Sequence, residues 1–208
     1  MRIAPEVWPF AVPLIAAAAL GGFLLHPLLI VALLPPIAFT LWFFRDPERT
    51  PPSSPGVLVC PADGRIIRAG PASVSVFMNV FNVHVCRSPV AGSVVAVEHH
   101  SGRFLAAFKD CASEQNERVS IEIDAGGGRI RFVLVAGLVA RRIVCKVERG
   151  QRLAAGERVG LIRFGSRVDV DLPPGSRVLV AMGEKVGAGE TVLARLPASR
   201  DDSRAEEA

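Results

Sequence analysis

Two patterns of apolar and polar positions divide this chain. Residues 8–44 read WPFAVPLIAAAALGGFLLHPLLIVALLPPIAFTLWFF, 37 residues without Asp, Glu, Lys or Arg. His26-Pro27 splits the run into two stretches of about 18 residues, each near the minimum for a helix that crosses a bilayer. Gly21-Gly22 and His26-Pro27 mark a bend, and Pro35-Pro36 is expected to break the second stretch. Trp8 and Trp42 stand at the ends, where interfacial tryptophans belong. The run is far too long for a cleaved signal peptide. The pattern therefore predicts an N-terminal hydrophobic helical hairpin over residues 1–46, which spans or enters a membrane. A hairpin buried in a soluble core is the other reading. Arg2, Arg45 and Arg49 flank the run. Positive-inside asymmetry then puts both ends, and the domain that follows, on the cytoplasmic side of the cell membrane.

Beyond Arg45 the period shortens. Residues 46–56, DPERTPPSSPG, form a Pro/Ser linker. Short runs rich in Val and Ile follow, many of them alternating, separated by Gly, Pro and Asp. They are Val57–Cys60, Arg65–Ala69, Val74–Phe77, Val80–Val85, Ser93–Glu98, Val119–Asp124, Arg129–Val135, Ile143–Glu148, Val159–Phe164, Arg167–Leu172, Arg177–Val180 and Thr191–Arg195. Short strands at regular spacing predict an all-β, or β-rich α+β, catalytic domain of sandwich or barrel-like form over residues 47–196. One helix-compatible stretch, Phe104–Glu117, interrupts it. Residues 197–208 are polar and charged and read as a flexible tail. A repeat is visible near the C-terminus: GQRLAAGERV at 150–159 returns as GEKVGAGETV at 183–192. Its glycines suit tight turns and its apolar positions suit strand starts. The unit resembles the hairpins of biotinyl- and lipoyl-carrier domains, which present a lysine in a tight turn. Here the repeat brackets Phe164-Gly165-Ser166 instead.

Composition narrows the choice of function. The net charge is +4, which suits an anionic membrane surface. No dense Lys/Arg run interleaved with aromatics points to nucleic acid. The four cysteines, Cys60, Cys86, Cys111 and Cys145, form no CxxC pair. They read as reduced, buried thiols rather than a zinc site, and no metal is expected. There is no P-loop and no dinucleotide fingerprint.

Candidate chemistry lies in four segments: Pro61-Ala62-Asp63-Gly64-Arg65, Asn79–Pro89, Glu114–Arg118 and Phe164-Gly165-Ser166-Arg167. Phe44–Pro47 and Gly137–Ile143 accompany them. A serine hydroxyl is a poor nucleophile near neutral pH and needs an adjacent base. His84, in a strand-like run, is a better candidate than the polar pair His99-His100. A carboxylate in the Pro-Ala-Asp-Gly turn could orient that base, which makes Asp63–His84–Ser166 a plausible triad. Gly165 gives the backbone freedom for a strained bond rearrangement. Taken singly, each feature is also an ordinary turn, core histidine or solvated face.

Together and in order, these segments resemble the short form of the phosphatidylserine decarboxylases, a pyruvoyl-dependent family, over about Trp8–Leu196. The resemblance implies a proenzyme that cuts its own Gly165–Ser166 bond. Ser166 would become a pyruvoyl group, the only cofactor. Chains 1–165 and 166–208 would stay together as a heterodimer, with further pairing open. The substrate would be phosphatidylserine in the membrane and the product phosphatidylethanolamine. Longer members often carry a second histidine three residues on, where this chain has Arg87. His84 is therefore expected to serve both self-cleavage and decarboxylation. Phe77, Phe81 and Val83 could wall an apolar pocket, and Arg2, Arg45, Arg49 and Arg87 could bind the phosphodiester. Three rivals stand beside this reading. An anchored carrier-like sandwich would stay uncut. A serine hydrolase would need a Gly-x-Ser-x-Gly elbow, which Phe164 and Val168 replace. A soluble amino-acid decarboxylase would not need the anchor.

Overall fold

The computed structural model describes residues 2–103, 115–137, 142–163 and 165–197. The expected helix over Phe104–Glu117 and the tail fall almost wholly outside these residues. Contacts divide the chain into two units, Met1–Glu48 and Arg49–Ala208.

In the first unit a strand pair, β1 (Arg2–Ile3) with β2 (Arg45–Asp46), closes a hairpin of α1 (Trp8–Leu24) and α2 (Leu28–Phe43). The bend falls at Leu25–Pro27. Gly21 and Gly22 lie inside α1, and they serve packing rather than bending. A Cβ on Gly22 would lie 2.4 Å from Ile30 Cγ1, so the missing side chain lets α1 approach α2. Nor do Pro35 and Pro36 break the second helix, which runs through both. An interior proline costs about 3 kcal/mol in water. In apolar surroundings a helix is still the only way to satisfy the rest of the backbone. Phe23, Leu25 and Leu28 are exposed, and Pro5–Leu24 is long and apolar enough to cross a membrane. Arg45 lies over the Trp42 ring, 3.9 Å from its centroid. That stacking suits a headgroup-level pair.

The second unit is built from strands. In chain order they are β3 (Val57–Val59), β4 (Gly64–Ala69), β5 (Ser73–Met78), β6 (Val85–Arg87), β7 (Gly92–His100), β8 (Arg118–Asp124), β9 (Arg129–Ala136) and β10 (Ile143–Cys145). Then follow β11 (Arg152–Leu153), β12 (Arg158–Ile162), β13 (Ser166–Asp171), β14 (Arg177–Val178), β15 (Lys185–Val186) and β16 (Val192–Arg195). They form an open antiparallel sheet, β11-β7-β8-β9-β13-β5-β4-β15, and two smaller sheets, β10-β12-β6 and β14-β16-β3. The β-rich expectation holds, and no barrel closes among the described residues. Val74, Val76, Ile121, Ile123, Phe132, Leu134, Val168 and Val170 alternate inward from the central strands to make the core.

The strand order exposes a deeper repeat than the C-terminal one. Read from either end, the large sheet runs one two-residue strand and then three longer strands, the halves meeting between β9 and β13. Val59 N–H donates to the Pro89 carbonyl, and Arg87 N–H returns the bond to Pro61. Gly156 N–H donates to Ser88 O and Gly189 N–H to Cys60 O. The repeated glycines share left-handed backbones: φ is 88° and 87° at Gly150 and Gly183, and 74° at both Gly156 and Gly189. In this correspondence Pro61-Ala62-Asp63-Gly64 matches Pro89-Val90-Ala91-Gly92.

Gly64 and Gly92 are needed for space. A Cβ on Gly64 would fall 2.2 Å from Phe77 O, and one on Gly92 2.2 Å from Asp124 O. Both obstacles are backbone, which cannot yield cheaply. Gly64→Ala should destabilise the unit by ~1–3 kcal/mol, as overpacking does. Thermal unfolding in detergent would register a lowered midpoint.

One expected strand is missing. Val80–Val85 forms none until Val85, because asparagine side chains capture the backbone first. Asn79 Oδ1 accepts the Phe81 N–H at 2.9 Å and Asn82 Oδ1 accepts the Asn79 N–H at 2.9 Å. These local bonds make a turn out of apolar residues that read as a strand.

Candidate active site

Ser166 opens β13, between β5 and β9, paired with Met78 on one side and Ala136 on the other. Side chains alternate along the strand, so Ser166 points to the same face as the core residues Val168 and Val170. It is wholly buried, and its Oγ has no hydrogen-bond partner among the described residues. A buried hydroxyl without a partner costs ~1–3 kcal/mol and calls for a reason. The next residue explains how the strand start is held. Arg167 points to the opposite face, also buried, where Nε pairs with Asp169 and an Nη donates to Ser75 Oγ at 3.1 Å. Its signal in the sequence was the charge alternation of Arg167-Val-Asp-Val-Asp171.

Gly165 precedes Ser166 with φ at +73°, in the left-handed region. A Cβ there would meet nothing within 4 Å, so the glycine is required by conformation and not by space. Phe164 lies outside the described residues. The Gly165 N–H donates to Nε2 of His84 at 3.3 Å. His84 is buried just before β6, and its Nδ1 lies 2.9 Å from the Asn82 carbonyl. With Nε2 accepting from Gly165, Nδ1 is the ring nitrogen placed to donate to Asn82 O. The Ile162 N–H donates to the His84 carbonyl at 3.2 Å, which ties β12 to the same residue. The structure thus brings His84 against the Gly165–Ser166 segment, as sequence order alone could not show.

Asp63 stands differently. Its Oδ2 meets Arg49 Nη2 at 2.9 Å, and Oδ1 accepts the Ala188 N–H at 2.7 Å. Arg49 also pairs with Glu190. Neither Asp63 oxygen bonds to His84, whose Nδ1 faces a carbonyl instead. The internal repeat shows that the turn does not require this acid, because Ala91 occupies the matching place in the other half. Arg49 is therefore committed to two carboxylates rather than open to a lipid phosphate. Arg87 is buried and donates to the Gly156 carbonyl at 2.9 Å, which spends it in the same way. Phe81 is exposed, Val83 is buried and Phe77 is half-buried. Of Glu114–Arg118, Glu114 lies outside the described residues, as does Arg141. Asn116 is buried and its Nδ2 donates to Ala136 O at 2.7 Å, which steadies the strand end beside Ser166.

Cys60 and Cys86 lie beneath the Asp63 turn. Burial, with smaller help from the Asp63 charge, pushes the Cys60 thiol up to about 12 and raises Cys86 as well. Burial also raises Cys145. Cys111 lies outside the described residues. The two buried thiols should resist thiol reagents in the folded protein and react on unfolding. The linkage sign follows. From pH 9 to about 12 the unfolded Cys60 loses a proton that the folded one keeps, so stability falls as pH rises through that window. Cys60→Ala should flatten the alkaline limb of a denaturation series. Among the described residues no cluster of His, Cys, Asp and Glu could hold a metal ion.

The family model described as Phosphatidylserine decarboxylase matches residues 37–74 and 68–194. The chain belongs to the phosphatidylserine decarboxylase family. The phosphatidylserine decarboxylase proenzyme of Burkholderia mallei (strain SAVP1) is 49% identical over 211 residues, covering 94% of this chain and 95% of the relative. The proenzyme of Burkholderia pseudomallei (strain 1106a) matches at 49% with the same coverage. That of Burkholderia multivorans (strain ATCC 17616 / 249) is 47% identical over 93% of this chain and 96% of its own length. The family membership runs through both units, so the apolar hairpin is part of the matched chain and not an appendage.

Proposed function

We propose that this chain is a membrane-attached proenzyme that cuts itself between Gly165 and Ser166 and then decarboxylates phosphatidylserine to phosphatidylethanolamine and carbon dioxide. The observation that carries the reading is the Ser166 hydroxyl. It is buried and has no partner among the described residues, one peptide after a left-handed glycine whose N–H rests on an imidazole.

The hydroxyl attacks the Gly165 carbonyl carbon, and the Gly165–Ser166 C–N bond breaks to leave an ester and a free amine. His84 takes the hydroxyl proton and returns one to the departing nitrogen. For this, the Gly165 N–H must leave Nε2, and the open space around Gly165 allows the peptide to turn. Loss of the Ser166 α-proton then expels the Gly165 carboxylate. The dehydroalanine that remains takes up water and releases ammonia, which leaves a pyruvoyl group at residue 166. Asp63 is proposed to stabilise the cationic imidazole, after exchanging its Arg49 partner. Gly165→Ala should keep the fold, at a conformational cost of ~1–2 kcal/mol, and slow the cut.

The residues at the site fit such a group, since Ser166 is fixed in a central strand and its side chain faces a desolvated space. The group supplies a carbonyl that takes up the electron pair left when carbon dioxide departs. His84 remains to deliver a proton to the substrate α-carbon. The strands contributed by residues 166–197 lie inside the large sheet and one small sheet, which supports a heterodimer of chains 1–165 and 166–208. An anchor in the cell membrane, with the strand-rich unit on the cytoplasmic side, keeps the site near a diacyl lipid that does not leave the bilayer.

The test is carbon dioxide release from carboxyl-labelled phosphatidylserine in mixed micelles. Release that hydroxylamine abolishes supports the reading. Release indifferent to hydroxylamine, or none from fully cut protein, contradicts it.

A further inference from the structure

We propose that Asn82, with Asn79 as its reciprocal partner, is a positioning residue that sets the tautomer and place of the His84 ring. The inference rests on the reading of His84 as the base. Three hydrogen bonds lie within four residues. Asn82 N–H donates to Asn79 O at 3.0 Å, Asn79 N–H donates to Asn82 Oδ1 at 2.9 Å, and Phe81 N–H donates to Asn79 Oδ1 at 2.9 Å. An ordinary turn needs only the first of these. The Asn82 side chain ties the end of the turn back to its start, and the Asn79 side chain holds Phe81 within it.

The turn sits between the two reacting residues. Met78, just before it, pairs with Ser166 across the sheet. His84, just after it, is placed to donate from Nδ1 to the Asn82 carbonyl. The conformation of residues 79–82 therefore fixes how far the base stands from the nucleophile. It also fixes the proton: a carbonyl only accepts, so it holds hydrogen on Nδ1 and leaves the Nε2 lone pair toward Gly165. Neither asparagine is needed for burial, because the turn is at the surface. Their side chains are spent on the geometry of one carbonyl.

The experiment has two readouts on the full chain. The first is the rate at which newly made precursor disappears. Asn82→Ala and Asn79→Ala should each slow it roughly 10- to 100-fold, the usual cost of a small misplacement. Asn82→Asp keeps an Oδ1 acceptor for the Asn79 N–H and should stay within roughly 3-fold of the wild type. The second is the nitrogen NMR signature of His84 in the uncut Ser166→Ala protein. A single Nδ1-protonated tautomer is expected, and Asn82→Ala should turn it into a mixture. Continued protection of Cys60 and Cys86 from thiol reagents shows that each variant is folded. Wild-type cutting and an unchanged tautomer in Asn82→Ala would overturn the proposal, as would equal slowing by Asn82→Asp. If His84→Ala cuts normally, the base reading fails, while the tautomer measurement still decides what the turn does.

Discussion

Ser166→Ala is expected to give a single uncut chain with no reactive carbonyl and no decarboxylase activity. The reason is chemical: alanine has no oxygen to form the ester, so the C–N bond before residue 166 has no route to break. The variant should also be well folded. The wild-type hydroxyl is buried without a partner among the described residues. Removing it relieves a desolvation cost of ~1–3 kcal/mol, so the uncut variant should be more stable than the wild-type precursor before cutting. A destabilised Ser166→Ala chain would mean that Oγ has a partner in the precursor and is not poised. Ser166→Cys keeps a nucleophile and should cut, at an altered rate.

The second large effect is expected at His84. His84→Ala should slow precursor cutting by about 10²–10⁴-fold, the range for loss of a positioned general base. It should also depress decarboxylation of whatever protein does become cut, because the same ring is assigned the proton delivery. Arg87 is buried and bonded to the Gly156 carbonyl, and offers no substitute base. Cut His84→Ala protein that retains full turnover would separate the two jobs and assign the second to another group. Single-turnover measurements on chains cut before purification would distinguish these outcomes.

Much of this was legible in the chain because the signals were periodic or compositional. The uncharged 37 residues announced a hairpin, and the alternating runs announced strands. The Gly165-Ser166 pair drew attention only through its company, and the structure adds the contact that joins it to His84. Features decided by competition between local and distant bonds were not legible. Residues 80–84 are apolar enough for a strand, but Asn79 and Asn82 offer their backbone nearer partners. Pro35-Pro36 should stop a helix in water, yet α2 runs through both prolines. Arg49 looked like an arginine for lipid phosphate, and its ion pairs with Asp63 and Glu190 depend on contacts 14 and 141 residues away. The internal repeat was visible only as ten C-terminal positions. Its other half lies in the matched turns at Asp63 and Ala91, where the residues differ.

The central claim is the self-made cut, and an intact mass spectrum of the purified protein tests it most directly. The account predicts two chains, residues 1–165 and a 43-residue partner from 166 to 208 (208 − 165 = 43). The smaller chain should be blocked to N-terminal sequencing, and its mass should match a pyruvoyl group in place of Ser166. A single full-length mass from folded, thiol-protected protein would contradict the account.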